Sequence, residues 1–267
     1  MFVAGIFLLF GANAVFAAER IDILLVPGHD DATVGAAFGR VKEADMNMRV
    51  AEELKKILDK DKRFKVWITR GWSGYTKTFA DYFAQNRDMI IAFTEEAKKR
   101  TAEQKAAGTF IESEIVPHNT VSTETGIILY GINKWAQENA MDAVIHIHFN
   151  DYPRANIAKR GEYAGFTVYF PESQLPNATI TAPLAGEIFS ELVKKYPTST
   201  HEKEKGGLIP DQKLIALGSH GTLPGVPSVL IEYGYIYEKR FSTYAKRQAA
   251  YKDMALRTAS ALKKFFK

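Results

Sequence analysis

Between residues 21 and 70 a short apolar run, an amphipathic stretch and a second apolar run follow one another. This alternation constrains the fold more than any other feature of the chain. "IDILLV" (21–26) ends at Pro27-Gly28, as a strand running into a turn does. In "EADMNMRVAEELKKIL" (43–58), Met46, Val50, Leu54, Ile57 and Leu58 recur at helical spacing, which predicts an amphipathic helix. "FKVWITR" (64–70) is the next strand. Strand, helix and strand in such close succession are the pattern of an α/β sheet.

The alternation continues. "FADYFAQNRDMIIAFTEEAKKRTAEQKAAG" (79–108) reads as one long helix, apolar early and highly charged late, with Gly108 as its stop. "HNTVSTETG" (118–126) reads as a loop and "TGIILYGINKWAQENAMD" (125–142) as a helix. "AVIHIHFND" (143–151) and "GFTVYF" (165–170) read as strands, and "APLAGEIFSELVKKY" (182–196) as a helix followed by a polar loop. "PSVLIEYGY" (227–235) is a strand. The closing stretch is a helix, with Tyr251, Ala255, Ala259, Leu262 and Phe266 on one stripe. There is no internal repeat and no low-complexity linker. The expectation is one domain over 18–267, carrying an inserted helical segment at about 71–123.

Hydrophobic residues make up 46% and charged residues 25% of the 267, so a sizeable core can form without disulfides. The absence of cysteine excludes cysteine-ligated zinc, iron–sulfur clusters and a cysteine nucleophile; any metal must sit on His, Asp or Glu. The formal charge of +4 is small, and its lysines and arginines stand beside acids, as in "EELKKILDKDKR", the mark of a solvated face. No basic stripe is interleaved with aromatics, so no nucleic-acid partner is expected. "MFVAGIFLLFGANAVFA" is uncharged and ends in Val15-Phe16-Ala17, which reads as a secretory signal peptide over 1–17 cut before Ala18. No Lys or Arg precedes its apolar stretch, and the alternative is a short anchor that stays attached. The expectation is an exported protein, in the periplasm, at a cell wall or extracellular.

The candidate chemistry lies at strand ends, where open α/β sheets gather ligands. His29 follows Pro27-Gly28; by itself it would read as a surface turn residue. Glu43 opens a helix, where an acid also suits the helix dipole. His146 and His148 stand two apart in an apolar strand and so share a face; both could be hydrogen-bonded core histidines. Glu232 is a lone carboxylate inside "SVLIEYG". Burying it requires a cation or hydrogen-bond donors, met by a buried Arg or by a metal ion. Two imidazoles and a carboxylate with an open fourth position form the usual catalytic zinc sphere. A further carboxylate beside the bound water can carry its proton.

"ILLVPGHDD", "EADMNMRVAEELKKIL", "VWITR", "DAVIHIHFND" and "PSVLIEYGYIYE" resemble, in order, the blocks of the zinc-dependent N-acetylmuramoyl-L-alanine amidases of bacterial cell walls. The C-terminal "AYKDMALRTASALKKFF" is similar to that family's closing helix. The resemblance spans most of 21–267 and is weakest over 71–140 and 197–222. It implies an open twisted mixed sheet flanked by helices, of the phosphorylase/hydrolase-like kind. It implies His29, Glu43 and His148 as ligands of a zinc ion (Zn2+) and Glu232 as the catalytic glutamate. The implied reaction is hydrolysis of the amide between N-acetylmuramic acid and L-alanine in peptidoglycan, by a chain acting as a monomer.

Several positions depart from the family's pattern. His146 stands where a small serine is usual; it is expected to support the ligand beside it, the alternative being a fourth ligand in the water's place. "PGHDD" replaces a glycine-rich run, making the rim more acidic. The segment between "TR" and the second histidine strand is longer than usual, and a covering role relieved by a protein activator is one reading of it. His118, His201 and His220 are expected at the surface, His220 near the groove. Two rivals remain at this point: a zinc amidohydrolase or peptidase acting on another amide, and a catalytically silent wall-binding module.

Overall fold

The computed structural model describes residues 20–267 apart from 31, 32, 114, 115, 117 and 119. The expected signal peptide therefore lies outside the described residues. Six strands form the main sheet: β1 (Ile21–Pro27), β2 (Phe64–Ile68), β3 (Ala143–Asn150), β4 (Thr167–Pro171), β5 (Leu208–Asp211) and β6 (Ser228–Tyr235). Their order is β2-β1-β3-β6-β4-β5. All neighbours are parallel except β6 and β4, which makes the sheet mixed. The expected α/β class and mixed sheet are therefore observed. From β1 the chain adds β2 on one side and β3 on the other. The C-terminal ends of β1 and β3 thus border a topological switch point, where α/β sheets place their sites.

Among the described residues six α-helices flank the sheet: α1 (Glu43–Leu58), α2 (Lys77–Gln85), α3 (Arg87–Ala106), α4 (Thr123–Glu138), α5 (Ala178–Leu192) and α6 (Tyr244–Phe265). On one face, Ile23, Leu25, Ile145, Ile147, Val229 and Ile231 pack against the apolar stripes of α1, α5 and α6. On the other, Leu24, Val26 and Val144 meet Ile132, Trp135 and Ala136 of α4, with Phe79 of α2. Alternate residues of each strand therefore feed two separate cores, as the pleat requires. Among the described residues no helix is long and apolar enough to cross a membrane.

The boundaries of α1 match the sequence reading, and its ends suit the helix dipole: Glu43 and Asp45 in the first turn, Lys55 and Lys56 in the last. Three other elements differ from expectation. The long helix expected over 79–108 is two helices, broken at Asn86 (φ −115°, ψ 14°), whose side-chain amide donates to the Tyr82 carbonyl at 2.8 Å. An asparagine bonding its own backbone competes with the helix ladder. Gly108 follows α3 with φ +71°, as a helix stop does. Helix α4 begins inside the expected loop, because the Ser122 hydroxyl caps it by accepting from the Thr125 N–H at 3.1 Å. The polar stretch after α5 contains the edge strand β5, which pattern alone did not reveal.

Candidate metal centre and active site

His29 lies in the loop after β1 and adopts φ +59°, a left-handed backbone unusual for a residue with a side chain. The preceding glycine is dictated by packing. A Cβ on Gly28 would stand 2.1 Å from the His148 ring, so any other residue would displace that imidazole. At Gly35 (φ +70°), a Cβ would meet Glu43 and His29 at 2.5 Å. The loop is glycine-bearing where it must let three polar side chains converge.

Those side chains are His29, Glu43 and His148, each offering one ligand atom, all within 4.8 Å of one another. Glu43 Oε2 lies 3.2 Å from His29 Nε2, and Glu43 Oε1 lies 3.0 Å from His148 Nδ1. The two rings meet edge-on, with centroids 5.2 Å apart. Glu43 also accepts the backbone N–H groups of Ala36 (2.9 Å) and Phe149 (3.2 Å). Burial by itself would raise the Glu43 pKa, but the hydrogen bonds from His148 and His29 outweigh it and hold the carboxyl well below the ordinary range. For His29 burial acts downward, yet the bond to Glu43 prevails and raises the pKa. For His148 burial prevails over the same partner and lowers it.

Glu232 pairs in register with His148 on β3 and with Thr167 on β4. Parallel pairing puts its side chain on the same face of the sheet as His148. It is half-buried, and its Oε2 is fully buried with no hydrogen-bond partner among the described residues. Burial, followed by the charges of Glu43 and Glu204, pushes its pKa well above the usual carboxylate range. His146, one strand repeat before His148, is 1% exposed. Burial lowers its pKa to about 3; its ring bonds the Ala216 backbone, and its Nε2 has no hydrogen-bond partner among the described residues. His146 is not among the three residues whose ligand atoms converge.

The chain matches the family described as N-acetylmuramoyl-L-alanine amidase over residues 23–264. It belongs to that family. The amidase is thus an enzyme that hydrolyses the amide between N-acetylmuramic acid and L-alanine in peptidoglycan. No curated protein matches it in sequence. Among solved structures, the CwlD amidase of Clostridioides difficile, determined in complex with the GerS lipoprotein, is 15% identical. It covers 92% of this chain and 98% of its own, with a TM-score of 0.59. The amidase AmiC2 of Nostoc punctiforme is 16% identical over 94% and 99%, with a TM-score of 0.55. The apo form of Ami1 from Mycobacterium abscessus is 14% identical over 93% and 100%, with a TM-score of 0.56. At these identities the likeness concerns the fold.

Several residues that shape the amidase's site were not singled out by sequence. Arg70, just past β2, is 4% exposed. Its guanidinium donates to the carbonyls of Pro27 (3.0 Å), Gly28 (2.9 Å) and Ala44 (2.9 Å), tying the His29 loop to the start of α1. Asn47, fully buried one turn after Glu43, donates to the same Gly28 carbonyl at 2.8 Å. The Glu43–Asn47 spacing on one helix face was the available signal; Arg70 gave one only as a charge ending an apolar strand. Glu204, in the polar "HEKEKGG" stretch, gave none. Yet it is 3% exposed and accepts from Asn150 (2.9 Å), Thr167 (3.2 Å), Tyr169 (2.7 Å), Tyr235 (3.0 Å) and Ser199.

A cleft of about 770 Å³ opens beside the amidase's histidines. His29, His148 and His146 line it, with Ile128, Leu129 and Ile132 of α4 as one wall and Leu214 and Ile215 as another. His118, expected at the surface, also lines this cleft and pairs with buried Asp211 at 2.8 Å. His201 is half-buried against Tyr152 and Tyr163, and His220 is half-buried beside Tyr130. None of the cleft-lining residues comes from α2 or α3, which pack behind α4: the Phe79 ring lies 4.6 Å from that of Trp135.

Proposed function

We propose that the amidase is a zinc hydrolase in which His29, Glu43 and His148 hold the ion and Glu232 moves the proton. The donor set, two imidazole nitrogens and one carboxylate oxygen, is that of catalytic zinc. Ligand atoms bound to one zinc at about 2.0–2.2 Å lie roughly 3–4 Å apart; the Glu43–His29 separation of 3.2 Å suits this. Zinc held there would supply Lewis acidity, polarising the scissile carbonyl and easing ionisation of a water. Glu232 is the group suited to accept the water's proton and return it to the departing alanine nitrogen. Its raised pKa brings it towards the operating pH, where proton transfer in both directions is efficient. Glu43 stays ionised and keeps both imidazoles oriented. Arg70 and Asn47 hold the loop that carries His29.

The observation that carries this reading is the convergence of His29, Glu43 and His148 from three distant segments of the chain. The reading takes 18–267 as one catalytic domain, 71–123 as its inserted segment and the chain as a monomer. Peptidoglycan lies outside the cytoplasmic membrane, so it includes export directed by residues 1–17. CwlD was determined with a lipoprotein bound. A protein activator of the present amidase would act through the cleft-lining residues Ser113, His118, Thr120 and Val121 between α3 and α4 rather than through the helices behind them. The test is mass spectrometry of purified muropeptides incubated with the zinc-loaded protein, with Glu232→Gln alongside. Free stem peptide beginning at L-alanine is expected with the parent alone. Equal cleavage by both would remove Glu232 from the mechanism.

A further inference from the structure

Outside the cleft, three aromatic rings cluster at the surface. The Tyr152 ring meets that of Tyr163 edge-on, with centroids 4.7 Å apart, and lies 5.2 Å from that of His201. Tyr163 and His201 also meet edge-on, at 4.7 Å. Tyr152 is 40% exposed and the other two are half-buried, so the cluster faces solvent. None of the three holds the metal or moves the proton.

Their place in the fold ties them to the reaction. Thr167, the first residue of β4, pairs with Glu232, and Glu232 pairs with His148. Tyr163 precedes β4 and Tyr152 follows β3, so both leave the sheet at the end that carries the metal centre. The four residues of chain from His148 to Tyr152 reach at most about 14 Å, the span of a few sugar rings.

The cluster is firmly seated. Tyr163 lies against Tyr235, with centroids 5.9 Å apart, and the Tyr235 hydroxyl donates to buried Glu204 at 3.0 Å. Ser199 also donates to Glu204, and its hydroxyl accepts the His201 N–H at 3.2 Å. Past Tyr152 the loop is pinned by Arg154, which pairs with Asp151 at 3.1 Å and lays its guanidinium over the Tyr237 ring at 4.8 Å. A surface already held in place loses little freedom when it binds.

A pyranose ring carries C–H groups on its faces and hydroxyls around its edge. Aromatic faces suit the first. The polar tips of Tyr and His suit the second, as do the carboxylates of Asp151, Glu162 and Glu202, which adjoin the three rings in the chain. An apolar protein surface would leave those polar groups unpaired. We infer that Tyr152, Tyr163 and His201 form a platform for the glycan strand, holding the sugars that flank the muramic acid whose amide is cut. This inference rests on the amidase reading: the muramic ring bears the scissile amide, so with that amide at the metal centre the neighbouring sugars pass close by.

The test uses two substrates and one ligand. The substrates are stem-bearing glycan strands several disaccharides long and the single disaccharide–peptide. Tyr152→Ala should raise KM on the strands about fivefold to tenfold more than on the disaccharide–peptide, the loss of one aromatic contact. Tyr152→Phe, which keeps the ring, should recover most of that loss. The ligand is an N-acetylglucosamine oligomer, titrated calorimetrically into the zinc-loaded protein. It is expected to bind the parent and to bind Tyr152→Ala about fivefold to tenfold more weakly, with melting temperature and zinc content held. An equal rise in KM on both substrates, oligomer binding indifferent to Tyr152→Ala, or self-association of the parent that Tyr152→Ala abolishes would each overturn the inference. If the oligomer binds through Tyr152 but neither substrate is cleaved, the amidase reading fails and the platform stands. If both substrates are cleaved and the oligomer ignores Tyr152, the platform fails and the amidase reading stands.

Discussion

Glu43 and Glu232 both flank His148, the first bonded to its ring and the second paired with it across the sheet, and their surroundings act on them in opposite ways. At Glu43 every strong partner is present: two imidazoles and two backbone N–H groups converge on the carboxylate. At Glu232 partners are withheld. Oε2 is buried with no hydrogen-bond partner among the described residues, and the charges that push its pKa up further are those of Glu43 and Glu204, both of its own sign. Glu204 illustrates the difference, since its five donors come from side chains that Glu232 does not share. A saturated carboxylate is a fixed charge and an orienting group. An unsaturated one is a group with an unsettled proton, which is what acid–base chemistry needs.

The largest effect that separates the two glutamates is on turnover. Glu232→Gln should lower kcat by about 10²–10⁴ while zinc content stays at the parent level; loss of zinc would make Glu232 a ligand and erase the contrast. Next comes the metal. His148→Ala, or Glu43→Gln, should abolish stoichiometric zinc binding, read by elemental analysis after dialysis, and with it the activity. Retention of one zinc by His148→Ala would show that the metal sits elsewhere.

A smaller effect is on the pH profile. Glu232 acts as a base only when deprotonated, so kcat/KM should rise with pH and level off above its raised pKa. Glu204→Gln keeps the side chain's shape and removes one repelling charge, so this limb should move to lower pH. A limb that stays in place would detach Glu204 from the site. The smallest effect is on stability of the metal-free protein. Glu232 has a folded pKa above its unfolded value, so the native state holds a proton the unfolded chain has released. Stability is lost as pH rises from about 4.3 through the raised value. Glu43 has the reverse sign: its contribution is present above about 4.3 and lost as pH falls through its depressed value. At neutral pH, Glu232→Gln should therefore raise the melting temperature and Glu43→Gln lower it, at roughly 2–4 °C per kcal/mol for a chain of this size. Shifts of the same sign would break the comparison.

What was legible in the sequence was local. The boundaries of α1 and the existence of all the sheet strands but β5 follow from periodicity, because one buried face imposes one spacing on each element. The break at Asn86 and the early start at Ser122 depend on single side-chain hydrogen bonds, which periodicity does not register. The three converging residues His29, Glu43 and His148 were legible through the ordered blocks that carry them. No spacing rule joins positions 29, 43 and 148.

The sequence by itself determined the alternation of strands and helices, the absence of cysteine ligands and the blocks that announce an amidase. Only the tertiary structure decided which polar residues meet. Parallel pairing of β3 with β6 sets Glu232 beside His148. Gly28 is small because an imidazole from a distant strand rests against it. Arg70 and Glu204 take their roles from carbonyls and hydroxyls contributed by remote segments. Secondary structure is written in neighbouring residues, whereas the pairing and protonation of a buried polar group depend on whatever else folding brings within hydrogen-bond reach.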